Sequence, residues 1–402
     1  MRILWILPYL PWPTTSGGKT RQYHLLRSLA EAGHRITLLV QSKTPLDEDG
    51  RRHLEPLLER LIVLPRRPLR NPVTLAAVLF APYPMLATVN GLAPELEQRF
   101  DALLGETWDV IQVEHSYTFQ PFERGLRKHR KGFLITEHNV ESGLGAATYD
   151  RLPGWMAPFA RYDQWRYRRW ERRVLSQAQR VVAVTDADAR ELAQLSGRPT
   201  DVVVNGVDCR YYAEVAPDAN ARRLFFIGNF EYAPNVDAVT WALDEIMPAL
   251  WQRHPDVQIS IAGFALPAEW RQRWPDSRIH WQGFLPDLRD EQRHTSLFVA
   301  PLRQGGGSKL KVLEAMAAGL PVVTTGQGAS GLKVTPDVHY AHAETTEAFV
   351  ERLATLLADP AHAARLGEAG RAYVRAEHDW SAAARELETI YTRLASPVGA
   401  PA

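Results

Sequence analysis

Along the chain, short apolar runs alternate with stretches whose apolar positions recur at helical spacing. The runs read as strands near Arg2–Leu7, Arg35–Val40, Leu61–Leu64, Asp109–Val113, Phe133–Thr136, Arg180–Val184 and Asp201–Val204. A second series follows at Arg223–Ile227, Val257–Ala262, Ile279–Trp281, Leu297–Ala300 and Pro321–Thr324. Between the first two strands, Thr20–Ala32 sets Tyr23, Leu25, Leu26, Leu29 and Ala30 along one side of a helix, and Gly33 supplies its stop. Further helices are predicted over Val236–Arg253, Lys309–Ala318 and Ser381–Leu394. Strands that are apolar throughout and separated by helices belong to parallel sheets covered on both faces.

At 402 residues the chain exceeds one ordinary core. The polar, strand-poor stretch Ala213–Ala221 is the natural boundary. The expected fold class is α/β: a Rossmann-like domain over residues 1–212, a second over 222–380, and a C-terminal helix over 381–396 that returns to the first. Sheets of this kind place ligands at the C-terminal ends of their strands, here facing a central cleft.

Composition narrows the classes. Lys and Arg number 47 against 46 Asp and Glu, a net charge of +1, which lacks the basic excess of a nucleic-acid binder. Cys209 is the sole cysteine, so neither a disulfide nor a thiolate metal cluster can form within the chain, and a reducing, cytoplasmic setting is expected. The apolar start Met1–Leu7 breaks at Pro8 and reads as a strand rather than a signal peptide. The uncharged stretch Asn71–Pro94 is interrupted by Pro72, Pro82, Pro84 and Asn90, which argues against a membrane span.

The most specific chemistry lies in the run from Gly305 to Val323. Gly305, Gly306 and Gly307 open a helix, and Ser308, Lys309 and Leu310 begin it. Unshielded backbone N–H groups at a helix N-terminus suit a diphosphate, and Lys309 can add a full charge there. Glu314 follows where it can accept hydrogen bonds from ribose hydroxyls. The bland alternative is a flexible loop before a core helix.

This run, Leu7-Pro8 with Ser16-Gly17-Gly18, and Val204-Asn205-Gly206-Val207-Asp208 together resemble the retaining glycosyltransferases of family 4, the group 1 type with the GT-B fold. Pro234–Asp237 and Gly328–Leu332 support the likeness. The resemblance implies metal-independent transfer of a sugar from a nucleoside-diphosphate sugar, which is a co-substrate rather than a cofactor. The acceptor would be a hydroxyl of a glycan or a lipid-linked acceptor, in cell-surface polysaccharide or glycoconjugate assembly. It implies donor contacts from Gly17, Gly18 and Asn229 as well as from Gly305–Leu310 and Glu314, with Lys309 and Glu314 also counted in the catalytic machinery. The family's earlier glutamate falls on Gly306 here, and its basic pair after the first strand of the second domain is absent, so Lys309 is expected to compensate.

His115 and His138 each end a strand and each follow a glutamate, Glu114 and Glu137. The resemblance makes a histidine at such a strand end a contact of the donor sugar. His115 is taken as the catalytic histidine, with His138 and Asn139 as a supporting or acceptor-contacting pair. A hydrogen-bonded structural histidine is the plain alternative for either.

Three features compete with this picture. Pro13–Thr20 nearly matches a nucleotide-binding G-x-x-x-x-G-K-[ST] loop, but Pro13 replaces its first glycine. Asp186-Ala187-Asp188 imitates a metal-binding pair, yet helix capping explains it, and no metal site is expected. The basic, aromatic run Arg161–Arg173 reads first as a solvated helix whose rings pack on its own domain. Its second reading is a surface helix meeting anionic lipid at the inner face of a membrane. An epimerase-like enzyme and a non-catalytic nucleotide-sugar binder are the alternatives to a transferase.

Overall fold

Seven parallel strands form the first sheet, in the order β3-β2-β1-β4-β5-β6-β7. They are β1 (Arg2–Leu7), β2 (Arg35–Ser42), β3 (Arg60–Pro65), β4 (Val110–Glu114), β5 (Leu134–Thr136), β6 (Arg180–Ala183) and β7 (Thr200–Val202). Six more form a second parallel sheet, β10-β9-β8-β11-β12-β13. These are β8 (Arg223–Asn229), β9 (Gln258–Phe264), β10 (Ile279–Trp281), β11 (Leu297–Ala300), β12 (Val322–Thr324) and β13 (Ala341–His342). The computed structural model describes residues 1–66, 83–91, 93–143, 156–305 and 309–395. Gly306, Gly307 and Ser308, and most of the uncharged stretch from Asn71, lie outside the described residues.

The central strands are apolar on both faces and fully buried: Ile3, Leu4 and Trp5 of β1 and Leu224 and Phe225 of β8 have no exposed surface. Helices cover them, among which six matter below: α1 (Gly17–Glu31), α2 (Ala157–Gln177), α3 (Asp186–Ser196), α4 (Ala233–Trp241), α5 (Leu310–Ala317) and α6 (Trp380–Ala395). The two-residue β13 carries too little apolar pattern to be seen in the sequence. The helix expected over Val236–Arg253 is interrupted, since α4 gives way to a π-helical turn at Ala242–Ile246 before Met247–Arg253. Pro248 lacks an N–H and crowds the preceding turn, which accounts for the break.

The chain divides into two units, Met1–Val204 with Ala384–Ala402, and Asn205–Ala383. The division falls inside the Val204–Asp208 motif, ahead of the polar stretch Ala213–Ala221. Hydrogen bonds explain why: Val207 N donates to His378 O at 2.6 Å, Trp380 N to Val207 O at 3.2 Å and Cys209 N to Asp379 Oδ2 at 3.3 Å, all within the second unit. Later turns of α6 belong to the first unit. There Tyr391 donates to Gln112 of β4, and His34 Nε2 lies 2.6 Å from Glu388 Oε1.

Two competing features resolve locally. Thr185 caps α3, accepting from Asp188 N at 3.1 Å and donating to Asp188 Oδ2 at 2.6 Å, so the acidic pair serves the helix N-terminus. On α2 the rings divide: Tyr167 and Trp170 are buried, whereas Tyr162 and Trp165 are each 55% exposed. The expectation that the rings of this helix pack on their own domain therefore holds for only half of them.

Candidate active site

In the first unit, β4 and β5 run side by side with Glu114 in register with Thr136. Parallel neighbours leave the sheet together, so Glu114-His115 emerges beside Glu137-His138. The pairs then cross. His138 Nε2 lies 3.1 Å from Glu114 Oε2, and His115 Nδ1 lies 3.6 Å from Glu137 Oε2. The two imidazole centroids are 4.4 Å apart.

Each glutamate is held on its other oxygen. Glu114 Oε1 accepts from Trp5 Nε1 at 2.9 Å and from Gln112 Nε2 at 2.6 Å. Glu137 Oε1 accepts from Ser116 N at 2.6 Å. His115 adopts φ 65, a conformation uncommon for a side-chain-bearing residue, and stacks on Tyr117 at 4.8 Å.

Burial alone would raise the Glu114 carboxyl, but the hydrogen bond and charge of His138, then His115 and Gln112, hold it down at about 2. Burial lowers His138 to about 4, aided by His115 and opposed by Glu114. Burial likewise lowers His115. Both rings are therefore neutral near pH 7 and can accept a hydrogen bond. Burial also lifts Glu137 and Glu171 well above the ordinary carboxylate range, and Glu141 to about 7.

Helix α1 begins at Gly17, which is exposed, and Gly18, which is in close contact. A Cβ on Gly18 would fall 2.6 Å from Tyr9 Oη and 3.4 Å from His138 Nδ1. The histidine that faces Gly18 is thus His138, with the His115 ring tilted against it; Asn139 is half-buried next in the chain. The +65° turn at His115, which sets how the two rings face Gly18, cannot be read from residue types.

In the second unit, the ends of β8 and β9 are drawn tightly together. Gly263 has φ 143, and a Cβ there would come within 1.7 Å of Gly228 O. Asn229 uses its side-chain oxygen to accept from Glu231 N at 2.9 Å, which leaves its amide nitrogen as the group to offer a ligand. Asn235, in the first turn of α4, donates from Nδ2 to Asn229 O at 2.7 Å.

Gly305 has φ 119, and its carbonyl accepts from Lys309 Nζ at 2.9 Å and from Gln327. Lys309, expected to offer its charge outward, is 8% exposed and turns that ammonium back onto the loop it follows. Leu310 starts α5 and packs against the core. Glu314 is half-buried, with burial pushing its carboxyl up to about 7 and Lys311 pulling the other way.

Lys311 is the functional candidate that sequence reasoning passed over. Its Nζ donates to Asn235 Oδ1 at 2.5 Å and sits 4.6 Å from the Phe226 ring centroid. The available signal was its spacing of three residues from Glu314, which puts both on one face of α5. Among the described residues no group of three or more His, Cys, Asp or Glu side chains is placed to hold a metal ion.

The family described as Glycosyltransferase Family 4 matches residues 15–211, and Glycosyl transferases group 1 matches residues 221–359. The chain is 20% identical over 331 residues to an uncharacterized 44.6 kDa protein in the cps region of Klebsiella pneumoniae, covering 80% of this chain and 82% of that protein. Among solved structures it resembles sucrose-phosphate synthase from Thermosynechococcus elongatus, with TM-score 0.73 and 20% identity over 98% of this chain and 99% of that one. It also resembles HepE from Anabaena in complex with UDP and glucose, with TM-score 0.69 and 16% identity over 98% and 100% of the two chains.

Proposed function

The chain belongs to glycosyltransferase family 4, of the group 1 type and with the GT-B fold, and on that premise we propose that it moves a sugar from a nucleoside-diphosphate donor to an acceptor hydroxyl with retention of anomeric configuration. The observation that carries this reading is the second unit's gathering of Lys309, Lys311 and Glu314 at the N-terminus of α5. Cations and helix N–H groups suit a diphosphate, and a carboxylate suits ribose hydroxyls. UDP in the similar HepE structure is consistent with a donor of this class.

In the proposed mechanism the acceptor oxygen attacks the anomeric carbon on the face from which the diphosphate departs. The C–O bond to the acceptor forms, the C–O bond to phosphate breaks, and the departing phosphate takes the acceptor proton. The second unit stabilises the charge that develops on the leaving group. The first unit contributes His138 and His115 as neutral groups that hold sugar or acceptor hydroxyls. No resident metal takes part, so a chelator leaves turnover unchanged.

The test is a thermal-shift panel of UDP-, GDP-, ADP- and dTDP-sugars, with Glu314→Ala as control. A rise in melting temperature for one nucleotide class, lost in the variant, supports the reading; no rise with any donor at saturation overturns it. The product anomer by NMR then decides between retention and inversion.

Polysaccharide or glycoconjugate assembly at the inner face of a membrane is the setting proposed. No helix is long and apolar enough to cross a membrane, among the described residues. Helix α2, however, exposes Tyr162 and Trp165 among Arg161, Arg168, Arg169 and Arg172, a face suited to an anionic lipid surface. Sedimentation with anionic but not neutral vesicles, abolished by Trp165→Ala with Arg169→Ala, is the expected result.

A further inference from the structure

The first turns of α4 and α5 converge on a single ammonium group. Lys311, the second residue of α5, reaches Asn235, the third of α4, at 2.5 Å. Both helices present the positive ends of their dipoles there, and neither has an acidic residue in its first turn. Lys309 repels Lys311, and Glu314 is the carboxylate that attracts it. A cation at the N-termini of two helices, beside another cation, is badly placed for stability alone. The same potential is well placed for an anion with more than one negative charge.

The ammonium is also prepared for a second partner. An ammonium has three N–H donors, and Asn235 takes one of them. The face of the Phe226 ring supports the charge, and Asn235 is tied to the end of β8 through Asn229 O at 2.7 Å. Lys311 is half-buried rather than sealed, and Asn235 leaves two of its three donors for a ligand. Lys309, in contrast, directs its ammonium to Gly305 O.

We infer that Lys311 is the side chain that binds the diphosphate of the donor, and that Asn235 is the positioning residue that aims it. This rests on the donor-site reading above and names its principal cation. The geometry moves that duty from Lys309, two residues earlier, to a lysine whose ammonium sits by the Phe226 ring of β8. It also makes Asn235 a determinant of anion affinity although it carries no charge.

The experiment compares binding of UDP, GDP, ADP and dTDP with binding of uridine, guanosine, adenosine and thymidine by calorimetry. The wild-type chain, Lys311→Met, Lys309→Met and Asn235→Ala are each titrated. For the preferred base, the wild type is expected to bind the diphosphate far more tightly than the nucleoside. Lys311→Met should cut that ratio roughly tenfold to hundredfold, and Asn235→Ala should cut it by a smaller factor. Nucleoside affinity should be unchanged in both, which also shows that the variants are folded. A wild-type ratio preserved in Lys311→Met, or lost only in Lys309→Met, overturns the inference while the donor site stands. A wild type that binds none of the eight compounds overturns the donor reading and this inference with it.

Discussion

Glu114 and His138, 24 residues apart, meet at 3.1 Å between Oε2 and Nε2, while each one's chain neighbour, His115 or Glu137, pairs with the other's. The crossing has a consequence for chemistry. With Nε2 directed at a carboxylate held down at about 2, His138 carries its proton there and turns an unprotonated Nδ1 towards Gly18. A Glu114→Gln variant should lose roughly tenfold to hundredfold in kcat, as should His138→Ala. The double variant should be no worse than His138→Ala alone, because the glutamate acts through the ring. Multiplying losses in the double variant would disprove the functional pairing.

Gly18 is confined by the Tyr9 hydroxyl. The Cβ of Gly18→Ala would lie 2.6 Å from Tyr9 Oη, at the tip of a half-buried ring. The expected cost is ~1–3 kcal/mol of stability, read from chemical denaturation, together with reduced turnover. Tyr9→Phe removes the offending oxygen, so the double variant should recover most of the loss. Equal stability of the single and double variants would show that the helix start simply shifts.

The buried carboxyl of Glu171 predicts an alkaline weakness. Burial raises its folded value well above the ordinary range, with repulsion from Glu137 adding to the rise. The folded state therefore keeps a proton that the unfolded chain releases. Stability from this group is fully present below the ordinary carboxylate value and is lost as pH rises through the folded one. Glu171→Gln should gain on the wild type as pH climbs from about 5 to about 9, by ~1–3 kcal/mol at the upper end. Melting temperatures of the two proteins across that range provide the check, and a constant difference between them would contradict it.

Diphosphate binding should take up a proton. Burial, then repulsion from Lys309, lowers Lys311 to about 7, with Glu314 opposing. The other groups facing this cluster are Asn235 of α4, which does not titrate, and Tyr212, whose hydroxyl senses Glu314 and stays protonated. A bound dianion favours the charged ammonium, so affinity should fall as pH rises from about 7.5 to about 9. That window lies above the phosphate's own titration near pH 6. Calorimetry in buffers of different ionisation enthalpy should show proton uptake in the wild type and little in Lys311→Met. Equal uptake in both would assign the proton elsewhere, with Glu314 the first candidate.

Much of the architecture was legible along the chain. Twelve of the thirteen strands were visible as short runs, most plainly the central ones, since a strand buried on both faces has few polar positions to blur it. The strand missed, Ala341–His342, is too short to carry a pattern. The helix of the α5 segment was legible as well, because its apolar spacing is a local feature. Which histidine lies against Gly18 was not, nor were the exposure of Tyr162 and Trp165 and the burial of Tyr167 and Trp170 on one helix. Those depend on what lies against them.

Local pattern accounts for where strands and helices begin, which residue types stand at strand ends, and the phase that puts Lys311 and Glu314 on one face of α5. Long-range packing accounts for which of those residues meet. The register of β4 against β5 sets Glu114 beside His138, and the approach of α4 to α5 sets Asn235 against Lys311 across 76 positions of sequence. Periodicity is a property of neighbouring residues and is written into them. Register and helix approach are settled by the collective fit of buried side chains within each unit, which no short stretch of sequence contains.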